Sequence, residues 1–192
     1  AHLTIGLLGD LVNDPSHAAI AILPLFCGIA GLTVPTIVAI HAVVSERESR
    51  TFELLIALPV RVGWVLQAKL LTIVGLAITV CGGFLALSGI ELLAFGIATP
   101  LEVLALILEL FAAIAAGSAG ALLVGFHSHD FRTAQNVSGA VIAPMVLLSV
   151  AVSMLVGGGA VRPLALALLF GCFAAGFAAH AARQTTFEKL LR

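Results

Sequence analysis

Five apolar runs, each long enough to cross a bilayer, leave this chain few choices of fold. They fall at about residues 17–44, 66–89, 101–126, 134–156 and 163–182, and a hydrocarbon core of about 30 Å takes roughly 20 helical residues to cross. Lipid offers a peptide group no hydrogen-bond partner, so each run must satisfy its backbone internally as an α-helix; the strict alternation of a β-barrel strand is absent. The expected fold class is all-α, a polytopic transmembrane bundle with five spanning helices in one membrane domain over 1–192. Composition leads to the same place. Hydrophobic residues make up 61% of the 192 and charged residues 10%, with a mean hydropathy of +1.19, more apolar surface than a soluble core of this size could hide.

Charge narrows the partners. The formal net charge is −1, and no run of basic residues marks a polyanion site, so the bilayer is expected as a partner and nucleic acid is not. Eight basic residues, Arg47, Arg50, Arg61, Lys69, Arg132, Arg183, Lys189 and Arg192, lie in connections that alternate helices place on one side, and Arg162 alone lies on the other. That bias puts the C-terminus in the cytoplasm and residue 1 outside, in a cell (inner or plasma) membrane. Leu3 to Val12 is too short to span and lacks a basic stretch ahead of it, so it makes a poor signal peptide. An external start without a signal is odd, and one earlier span ahead of residue 1 is expected. Cys27, Cys81 and Cys172 fall in separate apolar runs, which reads as small buried hydrophobes rather than a disulfide framework or a zinc site.

The first run is overlong, so its cytoplasmic end is expected to project from the membrane as a stem. Pro24 and Pro35 lie inside it, and each removes a backbone donor and invites a bend. Gly117 and Ala121, and likewise Gly171 and Ala175, stand four apart, a spacing that lets helices approach closely within one subunit or between two.

Directly after the stem the oily sequence is interrupted by S-E-R-E-S-R-T-F-E-L-L-I-A-L-P-V, residues 45 to 60. Glu46 and Arg50 stand at i,i+4 with the acid first, the favourable order for a helical ion pair. Thr51 suits a cap for a second, short helix whose first turn holds Glu53; Phe52, Leu55 and Ile56 share a face, and Pro59 ends it. Trp64 follows where an interfacial aromatic belongs. Two readings of this amphipathic segment are open: a loop helix resting on headgroups, or a docking helix for a soluble partner.

The same residues resemble a known family. The run from Ser45 to Leu71 is similar to the signature that follows the second transmembrane helix of ABC type-2 permeases, E-R-E-x-x-T-x-E-x-L-L-x-x-P-V with a later Lys. Glu46, Arg47, Glu48, Thr51, Glu53, Leu54, Leu55, Pro59, Val60 and Lys69 fall on that pattern. A second likeness lies in F-R-T-A-Q-N-V-S-G-A-V-I-A-P-M, residues 131 to 145, with Pro144 at the usual mid-segment proline. The resemblance implies a permease subunit of an ATP-driven transporter, an exporter, with six helices per subunit, a second permease subunit completing the pore, and a separate nucleotide-binding ATPase. Within it, 45–65 becomes the cytoplasmic coupling segment, and Glu46, Arg47, Glu48, Thr51, Glu53, Leu54, Leu55 and Pro59 become the ATPase-coupling residues. The chain departs from the pattern in lacking the first family helix, and its 157–162 link is too short for the re-entrant hairpin of some members.

Other residues suggest other chemistry. Glu109 lies inside the third run, seven residues after Glu102 and on the same face; an acid at membrane depth is costly and marks a functional candidate. Its alternatives are structural pairing with a buried hydroxyl, or service as the relay of a proton-coupled secondary transporter. His127, His129 and Asp130 form an H-S-H-D cluster that lacks further ligands, so it reads as a polar turn and no metal or cofactor is assigned. No G-x-x-x-x-G-K-[ST], H-E-x-x-H or G-x-S-x-G occurs, so the chain has no catalytic residues to nominate and is not expected to be an enzyme. A membrane scaffold without transport is the remaining alternative.

Overall fold

The structure, a computed structural model, describes residues 15–48, 62–128 and 130–184. These residues form α1 (Pro15–Glu48), α2 (Val62–Ala77), a π-helical turn (Ile78–Gly82), α3 (Gly83–Ala94), α4 (Pro100–His127), α5 (Phe131–Leu155) and α6 (Val161–Gln184). Five helical spans are long and apolar enough to cross a membrane, the second made of α2, the π turn and α3 together. The described residues hold no strand, so the fold is an all-α transmembrane bundle. α1 has 34 residues, about 50 Å at 1.5 Å per residue, and its apolar span Ile22–Ala42 covers only part of that.

The second span is not a regular helix. Thr79 donates its hydroxyl proton to the Gly75 carbonyl at 2.9 Å, and the Gly83 N–H is shared between the Thr79 and Val80 carbonyls. A β-branched run, Ile78 to Val80, followed by two glycines gives little resistance to such a slip of register. The span then ends in a Schellman turn: Gly96 adopts φ 66°, its N–H bonds Leu93 O at 3.1 Å, and Ile97 N–H bonds Leu92 O at 2.9 Å. α4 starts three residues later with Thr99 as its cap, Pro100 in the first turn, and Glu102 returning a 2.6 Å bond to the Thr99 N–H. Glu102 therefore closes the start of α4.

α4 is the centre of the bundle, packed along most of its length against α1 on one side and α6 on the other, with the second span and α5 at the flanks. Glycines set the α1–α4 crossing. A Cβ on Gly117 would lie 2.6 Å from the Leu32 carbonyl oxygen and 3.0 Å from Pro35 Cγ, and one on Gly31 would lie 2.8 Å from Ala113 Cβ. Thr36 spans the crossing, donating to Leu32 O at 2.7 Å and reaching Gly117 O at 3.3 Å. The small-residue pair at Gly117 and Ala121 thus packs inside the subunit, whereas Gly171 has nothing within 4 Å of the equivalent position. The two largest hydrophobic clusters are Cys27, Ala77, Cys81, Leu85, Leu106, Leu110 and Ile114 toward the second span, and Leu32, Ala113, Ala116, Met145, Leu166 and Phe170 toward α5 and α6; Ile40, Val124 and Ala134, and Ala39, Ile73 and Ala121, form two smaller ones. Outside, Leu71, Leu87 and Leu168 are all about three-quarters or two-thirds exposed, the distribution expected where the solvent is lipid.

Candidate functional site

The charged segment after α1 is only partly within view. α1 carries the backbone through Glu46, Arg47 and Glu48, and Thr51, Glu53, Leu54, Leu55 and Pro59 lie outside the described residues.

Glu109 is fully buried on α4. Its Oε1 sits 3.1 Å from where a Gly28 Cβ would be, and the Phe170 ring edge approaches that same point at 2.8 Å. Neither carboxyl oxygen has a hydrogen-bond partner among the described residues, so the expected pairing with a buried hydroxyl is not what is found. Gly28 and the Phe170 ring edge lie at this point, and neither offers a side-chain donor.

A second feature combines two spans. A groove of about 570 Å³ runs between α1 and α5. The helices are antiparallel here, and at one end His41 and Phe131 meet with ring centroids 4.8 Å apart. Gln135 on α5 comes next, then Thr33, Thr36 and Ser138 in the middle, and Ile142, Ala143, Val146 and Leu147 at the far end. The hydroxyls are already committed as donors: Thr33 to Ile29 O at 2.9 Å, Thr36 to Leu32 O, and Ser138 to Gln135 O at 2.9 Å. Their free lone pairs remain as acceptors. A separate groove of about 470 Å³ between the second span and α4 is lined by apolar residues and glycines alone, among them Ile78 and Gly82 of the π turn.

Residues 11–179 match the family model described as ABC-2 family transporter protein. The chain belongs to this family. No curated protein and no solved structure matches it. The match runs through the charged segment that carries the resemblance and through all five spans, so this ABC-2 chain is a multi-pass membrane protein of a transporter family.

The structure of the ABC-2 chain sorts the other sequence candidates. Asp130, read with His127 and His129 as a polar turn, accepts a 2.6 Å bond from the Thr133 N–H and caps α5; His129 lies outside the described residues. Arg162, counted as the single basic residue of the far side, is 2% exposed. Glu91, at the same end of the bundle, is exposed. Sequence reasoning did not find the α1–α5 groove. Thr33 and Thr36 on one face of an apolar span, and Gln135 with Ser138 three residues on, were its available signals, but they line one groove only once the two helices are paired.

Proposed function

We propose that this chain is the permease subunit of an ATP-binding cassette transporter, an exporter, formed as a single transmembrane domain over 1–192 and energised by a separate ATPase. In this reading the 45–65 segment and the C-terminus are on the cytoplasmic side of the cell membrane. Glu46, Arg47, Glu48, Thr51, Glu53, Leu54, Leu55 and Pro59 form the contact with the ATPase, and a second permease subunit completes the pore. The observation that carries the reading is that the family match spans the charged segment together with the helices on both sides of it. α1 runs past its apolar span as one continuous helix, interrupted in its hydrogen bonding only at Pro24 and Pro35, so a force applied beyond the bilayer surface has a covalent and largely hydrogen-bonded path into the membrane. The test is a double charge reversal, Glu48→Lys with Glu53→Lys. Co-purification of the ATPase and ATP hydrolysis in proteoliposomes are expected to fall about tenfold or more, the loss of two charge-assisted contacts. Retention of both would remove the coupling reading.

Glu109 supports a second reading, a proton-driven carrier, because a buried, unpaired carboxyl in a span is a default candidate for a relay. The two readings part on substitution. For the permease, Glu109→Gln is expected to retain ATP-dependent activity, and Glu109→Met to raise resistance to thermal unfolding in detergent by about 1–3 kcal/mol, the cost of an unsatisfied buried polar group. Transport without an ATPase, abolished by Glu109→Gln, would instead favour the carrier.

A further inference from the structure

Most hydroxyls of the spans are spent within their own helix. Thr33, Thr36, Thr72, Thr79, Ser138 and Ser149 each donate to a carbonyl three or four residues back, and Ser118 and Ser153 are sealed in the interior. Ser88 on α3 is neither: it is half-buried and makes no hydrogen bond to a described residue. Glu91, three residues on and therefore on the same helix face, is exposed, and its carboxyl has no partner among the described residues. The two line a recess of about 250 Å³ that Leu23 of α1, Leu92, Phe95 and Ile97 complete. Leu23 is the second residue of the apolar span Ile22–Ala42, and Glu91 stands three residues, about 4.5 Å, short of the end of the span Leu70–Ala94. The recess thus lies where hydrocarbon gives way to headgroups, at the end of the bundle opposite Glu48.

Charge and size select the occupant. No Lys, Arg or His lines the recess, so the Glu91 carboxylate repels the phosphates of the bilayer surface and attracts its ammonium groups. A primary ammonium has three donors, enough for both carboxylate oxygens and the Ser88 hydroxyl about one turn deeper. A trimethylammonium has no donor and is held well by a cage of aromatic faces, whereas Phe95 is the single ring lining this recess. The volume is below the roughly 300–1,000 Å³ of sites that enclose a drug-sized molecule, and the apolar lining from Leu23 and Leu92 suits the short carbon link that carries a headgroup amine. We infer that the recess between α1 and α3 binds the primary-amine headgroup, of the ethanolamine type, of a phospholipid in the adjoining leaflet. The ammonium is held by Glu91 and Ser88, the phosphate stays in water and the tails stay in the bilayer, so the lipid fastens the end of α3 to the start of α1. Binding needs no ATPase and does not rest on the permease reading; only the name of the leaflet, the outer one, comes from it.

The test is retention of lipid by the full chain. Protein in nanodiscs of equal phosphatidylethanolamine and phosphatidylcholine, with the same acyl chains, is released into the gas phase and its bound lipids are counted by native mass spectrometry. Phosphatidylethanolamine is expected to be retained about tenfold over phosphatidylcholine, with the N-methyl and N,N-dimethyl lipids in between. Glu91→Gln is expected to lower that retention about tenfold, the loss of a charge-assisted contact, and Ser88→Ala about threefold, for one hydrogen bond. Glu91→Asp keeps the charge and is expected to keep most of the retention. Glu102→Gln, the same charge change on a residue outside the recess, is the control and leaves it unchanged. Glu91 is exposed, so its variants are expected to unfold in lipid-free detergent at the wild-type temperature, and the N-methyl series tests the wild-type chain without any substitution. Equal retention of phosphatidylcholine, a preference for the anionic phosphatidylglycerol, or a phosphatidylethanolamine preference that survives Glu91→Gln overturns the inference. So does full displacement of the lipid by an equal concentration of free ethanolamine, which would make the recess a site for a soluble amine. If retention behaves as expected while the Glu48 and Glu53 reversal leaves the ATPase coupled, the coupling reading falls and the headgroup site stands; the opposite pattern removes the headgroup site alone.

Discussion

Gly117→Val is expected to keep the bundle from assembling. Alanine already states the problem: its Cβ would meet the Leu32 carbonyl oxygen at 2.6 Å and Leu32 Cα at 3.0 Å, and these are backbone atoms of a neighbouring helix that cannot rotate away. Helix propensity works in favour of Gly→Ala by about 1 kcal/mol, but overpacking of a close crossing costs about 1–3 kcal/mol and more when backbone must move. The clash therefore wins for alanine, and valine adds two methyl groups to it. Separation of α1 from α4 would also cost the Thr36 bond to Gly117 O. The measurement is thermal unfolding and monodispersity in detergent: Gly117→Ala lowers stability by about 1–3 kcal/mol, Gly117→Val gives no folded peak, and Gly171→Ala, which faces open space, is neutral or slightly stabilising. A Gly117→Val protein as stable as wild type would mean that α1 and α4 do not cross at this point.

The second large effect is expected at Phe170. Its side chain is fully buried in the cluster with Leu32, Ala113, Ala116, Met145 and Leu166, and its ring edge covers the junction of Gly28 and Glu109. Phe170→Ala removes the ring and leaves a cavity, because three helices held at a glycine crossing cannot collapse to fill it; the expected loss is about 3–5 kcal/mol. The same cavity lies beside an acid that is sealed in the wild type. A lipid-soluble carbodiimide is therefore expected to leave Glu109 unmodified in the wild-type protein and to modify it in Phe170→Ala, read as a mass shift on the peptide containing residue 109. Wild-type modification at the rate of the variant would show that Glu109 is reached from elsewhere, a result that would strengthen the proton-carrier reading.

How much of this was legible depends on whether the signal lies in one helix or between two. The spans were legible, because apolarity over a length is local to each run. The start of α4 was written in Thr99, Pro100 and Glu102, residues that cap a helix through contacts within four positions of one another. The π turn in the second span was not read: β-branched residues and glycines weaken a helix, but they do not say whether it bends, breaks or widens. Glu109 was recognised as unusual from its depth, yet its expected hydroxyl partner is not there, since what it touches depends on which faces of α1 and α6 turn toward α4. The α1–α5 groove escaped for the same reason. The charged segment was the most informative stretch in the sequence and is the stretch on which the structure adds least, beyond α1 reaching Glu48.

Taken alone, the order of residues determined that this chain carries five runs long and apolar enough to cross a membrane and that each must be a helix, since an unpaired peptide group in hydrocarbon costs several kcal/mol whatever its neighbours are. Only the tertiary structure decided that α4 is the central helix, that Gly117 rather than Gly171 sits at a crossing, and that Glu109 is fully buried where Gly28 and Phe170 meet. In lipid every helix face is nearly as content against a tail as against another helix, so pairing is chosen by shape and contact between surfaces, and a surface exists only after both helices are in place.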